Sequence, residues 1–510
     1  MVCRLLLLVC CFGSTFGVAG CTSDPARSAS PAPDERILVD GEGADWASYA
    51  PLHTDPTGDV SGDRIDLGRL WMAHDDRFLF LRVEVGREIN IQEGNELTLF
   101  LDADNDPATG EAVGGIGAEL TWTFGAREGQ IVREAGTSDV RPADIGLVTA
   151  PTVSSRVFEV ALDRRARPNG APLFAADTLR LVVADRRDRG DRLPDEAGGV
   201  AYALGAPSAM APLDTTALAR SDAAALRLVS YNVEFDGLFD AERAPVFART
   251  LRAVRPDLLG LQEVYDHDAE ATRAAVEAML PSADDAAWYG AKAGLDLVVV
   301  SRYPILSSHT IPGHERHESG AFLIDAREAL GTELLFVLMH PPCCSGGTPP
   351  ADARRQQVVD RVLAFLREVR AGEGPLALAP ETPVVVAGDM NFVGDDDVPR
   401  SLRTGAVADT ARFGPAFAPD WDGGALLDLA PRLTGWPMNF TWYNPSSRFA
   451  PGRLDYVYLT DSVLRPVRQY VLFTPGLAED QRRAWGLEAD DAVRASDHLP
   501  LVVDLAPVER

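Results

Sequence analysis

The chain has 510 residues, 46% of them hydrophobic, and a formal net charge of -28. That length exceeds one ordinary core and predicts two domains of unequal size. The charge argues against extended, nonspecific binding along nucleic-acid backbones, although a local Arg cluster stays compatible with it. Gly and Pro are frequent but aperiodic, which excludes a collagen-like chain or a long disordered tract.

In chain order, residues 1–20 come first and read as a signal segment. Arg4 supplies the charged start, LLLLVCCFGSTF the apolar run, and VAG precedes Cys21. The run is too short and too poorly flanked for a stable membrane span. VAGC at 18–21 resembles the lipobox of bacterial lipoproteins. That resemblance implies a lipid on Cys21 that holds the mature chain to the membrane of the cell envelope, with the outer membrane preferred because Thr22 rather than Asp follows. A secreted or periplasmic form is the second placement. Residues 21–36, rich in Ser, Pro and Ala, read as a flexible tether. Beyond the signal only Cys21, Cys343 and Cys344 remain, so stability must come from packing; the adjacent pair either bridges or stays as thiols.

From 37 to 205 the pattern is of short strands: LGRLWMAH, RFLFLRVEV, LTLFLDAD, AELTWTF, RVFEVAL and TLRLVVAD, separated by Gly, Asp and Pro clusters. An antiparallel β-sandwich is the natural way to bury such strands. The opening DGEGADW and the later WMAHDDRFLFLRVEV resemble modules related to carbohydrate-binding domains, which implies a glycan partner. Trp46, Trp71 and Trp122 are the candidate platforms, with an all-core reading beside that one. In DADNDPATG, Asp102, Asp104 and Asp106 alternate in a tight loop. Two readings stand: a Ca²⁺ site of oxygen ligands, or an acidic surface turn, since the distal Glu of a full helix-flanked calcium loop is absent.

Residues 206–225 break the strand pattern and read as a linker. From 226 to 506 strands and helices interleave. LRLVSYNV, DLLGLQEV, LDLVVVS, LLFVLMH and TPVVVAGD read as buried strands; RAPVFARTLRAVRP, DAEATRAAVEAML and the stretch from about Asp352 to Arg370 read as helices. GAFLID and LLFVLMH are close enough to pair as a hairpin, so an α/β layered sandwich with mixed sheets is expected. Polar groups recur at the strand ends: Asn232, Glu263, His340, Asp389, Asn391, Asp455, Asp497 and His498. Each alone reads as a capping or turn residue. Their recurrence predicts one convergent site.

SYNVEF (230–235), LQEV (261–264), SRYPI (301–305), GDMN (388–391), GRLDYVYL (452–459) and SDHLPLVV (496–503) resemble, in order, the endonuclease/exonuclease/phosphatase superfamily, including its deoxyribonuclease- and sphingomyelinase-like branches. The resemblance implies a four-layer α/β sandwich with two mixed sheets, behind the N-terminal β-sandwich. It implies a Mg²⁺-dependent hydrolase of phosphate esters, with Mn²⁺ as a substitute ion. Glu263 would be the main metal ligand, with Asn232 nearby and Asp497 direct or through water. Asp389 would orient or deprotonate the attacking water, Asn391 would hold it or a phosphoryl oxygen, His340 and His498 would flank the phosphate, and Asp455 would buttress a histidine. Oxygen donors of this kind suit a hard ion that also binds phosphate.

The substrate stays open at this level. Tyr265 stands where the secreted deoxyribonucleases have an Arg after QEV, and residues 221–510 hold 27 Arg plus Lys against 42 Asp plus Glu, a balance of -15. Both lower the case for a duplex-DNA nuclease. His340 nevertheless fits the two-histidine phosphodiesterases. DNA, RNA, a phospholipid or an inositol phosphate each remain in view, and in TWYNPSS Trp442 and Tyr443 either stack on substrate or pack in the core. The second class of reading is a glycan- or matrix-binding protein whose C-terminal domain has lost its chemistry.

Overall fold

The computed structural model describes residues 36–205, 217–282, 287–343 and 349–509. The signal segment, Cys21 and the tether through residue 35 lie outside the described residues, as does Cys344.

Alternation of side chains along a strand sets the architecture of the N-terminal domain. In Phe78–Ile89, Leu79, Leu81, Val83 and Val85 point into the space between two antiparallel sheets, while Phe78 and Phe80 point the other way. Arg69–His74 repeats the pattern, with Leu70 and Met72 inward and Trp71 and Ala73 outward. One sheet runs in the order His53–Thr54, Arg69–His74, Phe78–Ile89, Ser155–Asp163, Val148–Ala150. The facing sheet runs Arg192–Leu193, Thr178–Asp185, Leu97–Asp102, Leu120–Thr123, Glu128–Arg133, Gly136–Val140, with Val200–Ala203 also on Thr178–Asp185. The predicted β-sandwich is therefore what forms. Trp46, Trp71 and Trp122 are buried at 2%, 4% and 2% exposure, which corrects the reading of them as exposed platforms for a glycan.

The second domain has two six-stranded mixed sheets. The first is ordered Tyr289–Ala293, Leu297–Ser301, Leu258–Gln262, Leu226–Asn232, Leu501–Pro507, Leu464–Val471; the second Ile305–His314, His317–Ile324, Leu334–Met339, Val384–Asp389, Asp455–Leu459, Leu427–Leu429. In each sheet the two central strands are parallel and their neighbours antiparallel. Leu226, Leu228, Phe336 and Leu338 fill the space between the sheets. The opposite faces, bearing Val229 and Tyr231 or Leu335 and Val337, are covered by helices. Ala244–Val254 turns Val246, Phe247, Leu251 and Val254 onto the first sheet, a helical spacing begun by a Pro in its first turn. Pro349–Arg370 covers the second sheet with Val358, Val362 and Leu366. Four layers result, helix, sheet, sheet, helix.

The two domains share one core. The outward face of the five-stranded sheet, with Phe78 and Phe80, is continuous with Trp436, Phe440 and Phe473 of the second domain. Val39 pairs with Met438 and its N–H donates to the Pro437 carbonyl at 2.8 Å. Part of the expected linker is also packed: Leu218 is fully buried and its carbonyl accepts from Arg227 Nη1 at 2.9 Å.

Candidate active site

Parallel central strands bring their carboxyl ends to one edge, and antiparallel neighbours bring their starts to the same edge. Asn232 and Asp389 end strands, Glu263 and His340 directly follow strands, Asp455 opens one, and His498 precedes Leu501–Pro507. The register pairs Asp389 with Asp455. Gly388, at φ +143, lets that strand approach its neighbour: a Cβ there would lie 2.0 Å from the Met339 carbonyl oxygen. Glu263 and Asn391 take left-handed backbone conformations, φ +64 and +51, as do Glu234, Phe235 and Asp236. Each such residue costs on the order of 1 kcal/mol or more, and such costs concentrate at sites where side chains are aimed.

The side chains form a connected array. His498 Nδ1 lies 2.8 Å from Asp455 Oδ2, and His340 Nδ1 lies 2.6 Å from Asp296 Oδ2. Both Nε2 atoms stand 3.5 Å from Asp389 Oδ2. Each Asp–His pair crosses between the sheets: Asp296 and His498 belong to the first, His340 and Asp455 to the second. Asn232 Nδ2 donates to Glu263 Oε1 at 2.9 Å and to Asp389 Oδ2 at 3.0 Å, while its Oδ1 accepts from Glu234 N–H at 2.9 Å. Asn391 Nδ2 donates to the Pro341 carbonyl at 3.1 Å, and its N–H to Asp389 Oδ1 at 3.1 Å. Ser496 Oγ donates to the Asn232 carbonyl at 2.9 Å and accepts from His498 N–H at 3.1 Å, fixing the SDH segment against the first strand.

The electrostatics follow from burial among carboxylates. Burial opposes charging His498, but the charges of Asp455 and Asp389 and the Asp455 hydrogen bond overcome it and bring the imidazole up to about 10. Burial likewise opposes charging His340, and the hydrogen bond and charge of Asp296 bring it up to about 9. Burial raises Asp389 to about 6 against the lowering effect of His498. Two cationic imidazoles thus flank a buried carboxylate.

Ligand atoms of Glu263, His340 and Asp389 lie within 4.8 Å of one another, as do those of Asp389, Asp455 and His498. Glu263 and Asp389 supply hard oxygen donors, so the residues present fit a Mg²⁺-type ion. Of the expected ligands, Asn232 turns its amide nitrogen to the carboxylates, and Asp497 lies outside both clusters with Oδ2 accepting from Trp442 Nε1 at 2.9 Å. All of the sequence-derived positions except Asn232 and Asp455 line a cleft of about 390 Å³ or its floor, and Asn90, Gln92, Glu93 and Thr152 of the sandwich form part of its wall. Sequence reasoning missed Asp296 and these sandwich residues. Asp296 had a signal: like Asp455, it stands immediately before an apolar strand run. The sandwich residues had none.

The DADNDPATG loop groups a different set of carboxylates from the one expected. Asp102 and Asp104 are grouped with Glu119, whereas Asp106 Oδ1 accepts from Ala108 N–H at 2.9 Å. Glu119, 17 positions beyond the loop's first residue Asp102, was invisible to a local motif.

A four-layer fold with a metal-competent carboxylate and histidine site at one sheet edge defines a phosphoesterase-type hydrolase. Residues 229–498 match the Endonuclease/Exonuclease/phosphatase family, and the chain belongs to it. No curated protein matches. Similar solved structures include the human Nocturnin catalytic domain, at 17% identity over 56% of this chain and 95% of that one, TM-score 0.37. ANGEL2, a 2',3'-cyclic phosphatase, shares 15% identity over 55% of this chain and 95% of that one, TM-score 0.38. Sphingomyelinase C from Streptomyces griseocarneus shares 18% over 55% and 99%, TM-score 0.33.

Proposed function

We propose that this protein is a Mg²⁺-dependent phosphodiesterase that acts outside the cytoplasm. The observation that carries the reading is the convergence of two Asp–His pairs on Asp389 beside Glu263. A bound ion would supply charge neutralisation at the phosphate. Glu263 would hold it, and Asn232 holds Glu263 and Asp389 in place. Water attacks phosphorus in line with the leaving oxygen; the new O–P bond forms as the old P–O bond breaks, Asp389 takes the water's proton, and the leaving oxygen departs with the bond's electron pair and takes up a proton from solvent. His340 and His498 hydrogen-bond the phosphoryl oxygens as negative charge develops, and Asn391 orients water or phosphate. Asp296 and Asp455 keep each imidazole aimed. Bis(p-nitrophenyl) phosphate and p-nitrophenyl phosphate separate diester from monoester cleavage; faster turnover of the monoester would overturn the phosphodiesterase reading.

A second reading, a phospholipid rather than a polynucleotide diester, is favoured by the cleft wall. Phe235 and Phe449 are 72% and 41% exposed there, and no Arg or Lys is among the described residues lining it. A polyanion gains most from cations, whereas one phosphodiester with an apolar flank gains from such a wall. Single- and double-stranded DNA, RNA, sphingomyelin vesicles and inositol phosphates, compared at equal phosphate, decide between them. DNA or RNA preferred over vesicles would sink the phospholipid reading.

Envelope anchoring through Cys21 is part of the proposal and rests on VAGC. Cys21→Ser should abolish acylation in the native host and release the protein from membranes. Mass spectrometry that finds the wild-type mature N-terminus unmodified would refute it. Among the described residues no helix is long and apolar enough to cross a membrane.

A further inference from the structure

We infer that the sandwich carries a structural Ca²⁺ site built from Asp55, Asp59, Asp191 and Asp195, none of which lines the cleft or belongs to the DADNDPATG loop. Two segments more than a hundred residues apart bring these carboxylates together, with ligand atoms within 4.8 Å of one another. Asp55 follows the edge strand His53–Thr54 of one sheet; Asp191 and Asp195 bracket Arg192–Leu193 at the edge of the other.

The observation that points to a ligand is Asp55. It is 2% exposed, and both of its carboxylate oxygens are buried without a hydrogen bond. His53 Nε2, at 3.6 Å, is beyond hydrogen-bonding length. A buried carboxylate facing three others is costly unless a cation lies between them. Arginines are abundant nearby but serve elsewhere: Arg187 pairs with Asp185 and Asp63, and Arg192 donates to the carbonyls of Pro194 and Asp195. Among the described residues no Arg or Lys forms an ion pair with any of the four.

The donors are all oxygens, which selects a hard ion, and the exposed Asp59 and Asp195 leave room for the waters and irregular geometry that Ca²⁺ accepts more readily than Mg²⁺. Asp191 is already oriented, since Oδ2 accepts from Leu67 N–H at 2.6 Å and Oδ1 from Arg192 N–H at 2.7 Å. The ion would staple the two sheets at their shared edge, in a domain that among its described residues contains no cysteine.

The test uses the full chain with Ca²⁺ or with EGTA. Wild type should gain thermal stability in Ca²⁺. The double variant Asp59→Asn/Asp195→Asn, altered only at exposed positions, should lose one bound Ca²⁺ by isothermal titration, its affinity there falling on the order of tenfold or more. Its hydrolysis of bis(p-nitrophenyl) phosphate in Mg²⁺ should be unchanged. Asp55→Asn should raise the melting temperature in EGTA, by removing a buried repelled charge, and remove the gain in Ca²⁺. Asp104→Asn, in the other loop, should retain the gain. Equal Ca²⁺ stoichiometry and equal melting gains in wild type and the double variant would overturn the site; so would loss of the whole gain in Asp104→Asn alone.

Discussion

Asp389 is the residue on which the rest of the site depends, because two imidazoles and an amide address the same oxygen. Its neighbours have separable tasks. Glu263→Gln keeps the shape but removes a negative charge, so Mg²⁺ affinity should fall at least ~10-fold and turnover with it. Titration calorimetry on the folded variant checks this, and unchanged affinity would remove Glu263 from the metal. His498→Ala should lower turnover ~100-fold or more while retaining most metal binding, since imidazole is a poor match for Mg²⁺ when oxygens are present. Asp296→Asn tests positioning through His340. It removes the charge that orients and charges the ring, so kcat should fall ~10-fold or more with KM little changed, and the pH profile should shift. A variant with the wild-type pH profile would make Asp296 merely structural.

At the scale of elements, the loop and 3-10 turn over residues 40–46 are held to the sandwich by a buried acid. Glu159 Oε1 accepts from Trp46 Nε1 at 3.0 Å and Oε2 from Gly41 N–H at 2.7 Å. Burial pushes its carboxyl up from 4.5 to about 8, with the charges of Asp40 and Asp45 adding to that and the Gly41 N–H opposing it. The folded protein therefore binds a proton that the unfolded chain releases. Its contribution to stability is full below about pH 4.5 and is lost as pH rises through about 8. Melting temperatures across this window should fall with rising pH, and Glu159→Gln should flatten that slope, lowering the values at the acid end through one lost acceptor. An unchanged slope would show that Glu159 does not titrate there. The same docking of elements places Gln92 on the catalytic side: its Oε1 accepts from Ala450 N–H at 2.8 Å, so a sandwich turn holds a loop that lines the cleft.

For the whole molecule, the shared core makes the sandwich a structural part of the enzyme rather than a tethered module. Trp436 is its centre, with ring centroids 5.2 Å from Phe78 and 4.8 Å from Phe473, and the Arg77 guanidinium 4.5 Å above the ring. Wild type should unfold in one calorimetric transition. Trp436→Ala should cost ~3–5 kcal/mol and separate the melting of the two domains. Two independent transitions in wild type would show that the interface contributes little.

The sequence by itself determined the two fold classes, because strand alternation and helical spacing are local properties of Phe78–Ile89, Leu226–Asn232 or Ala244–Val254. It also marked Glu263, Asp389 and His498, whose positions beside apolar runs announce strand ends. Tertiary structure alone decided their partners. Asp296 faces His340 across 44 positions, Glu119 displaces Asp106 from its cluster, and Asn90 and Gln92 reach a cleft formed by residues more than 140 positions away. Trp71 illustrates the same division: strand alternation sets it opposite to Leu70 and Met72, but only the docked second domain decided that this side is buried. Contacts between distant segments depend on how sheets stack and register, and no periodicity within one segment encodes what will be laid against it.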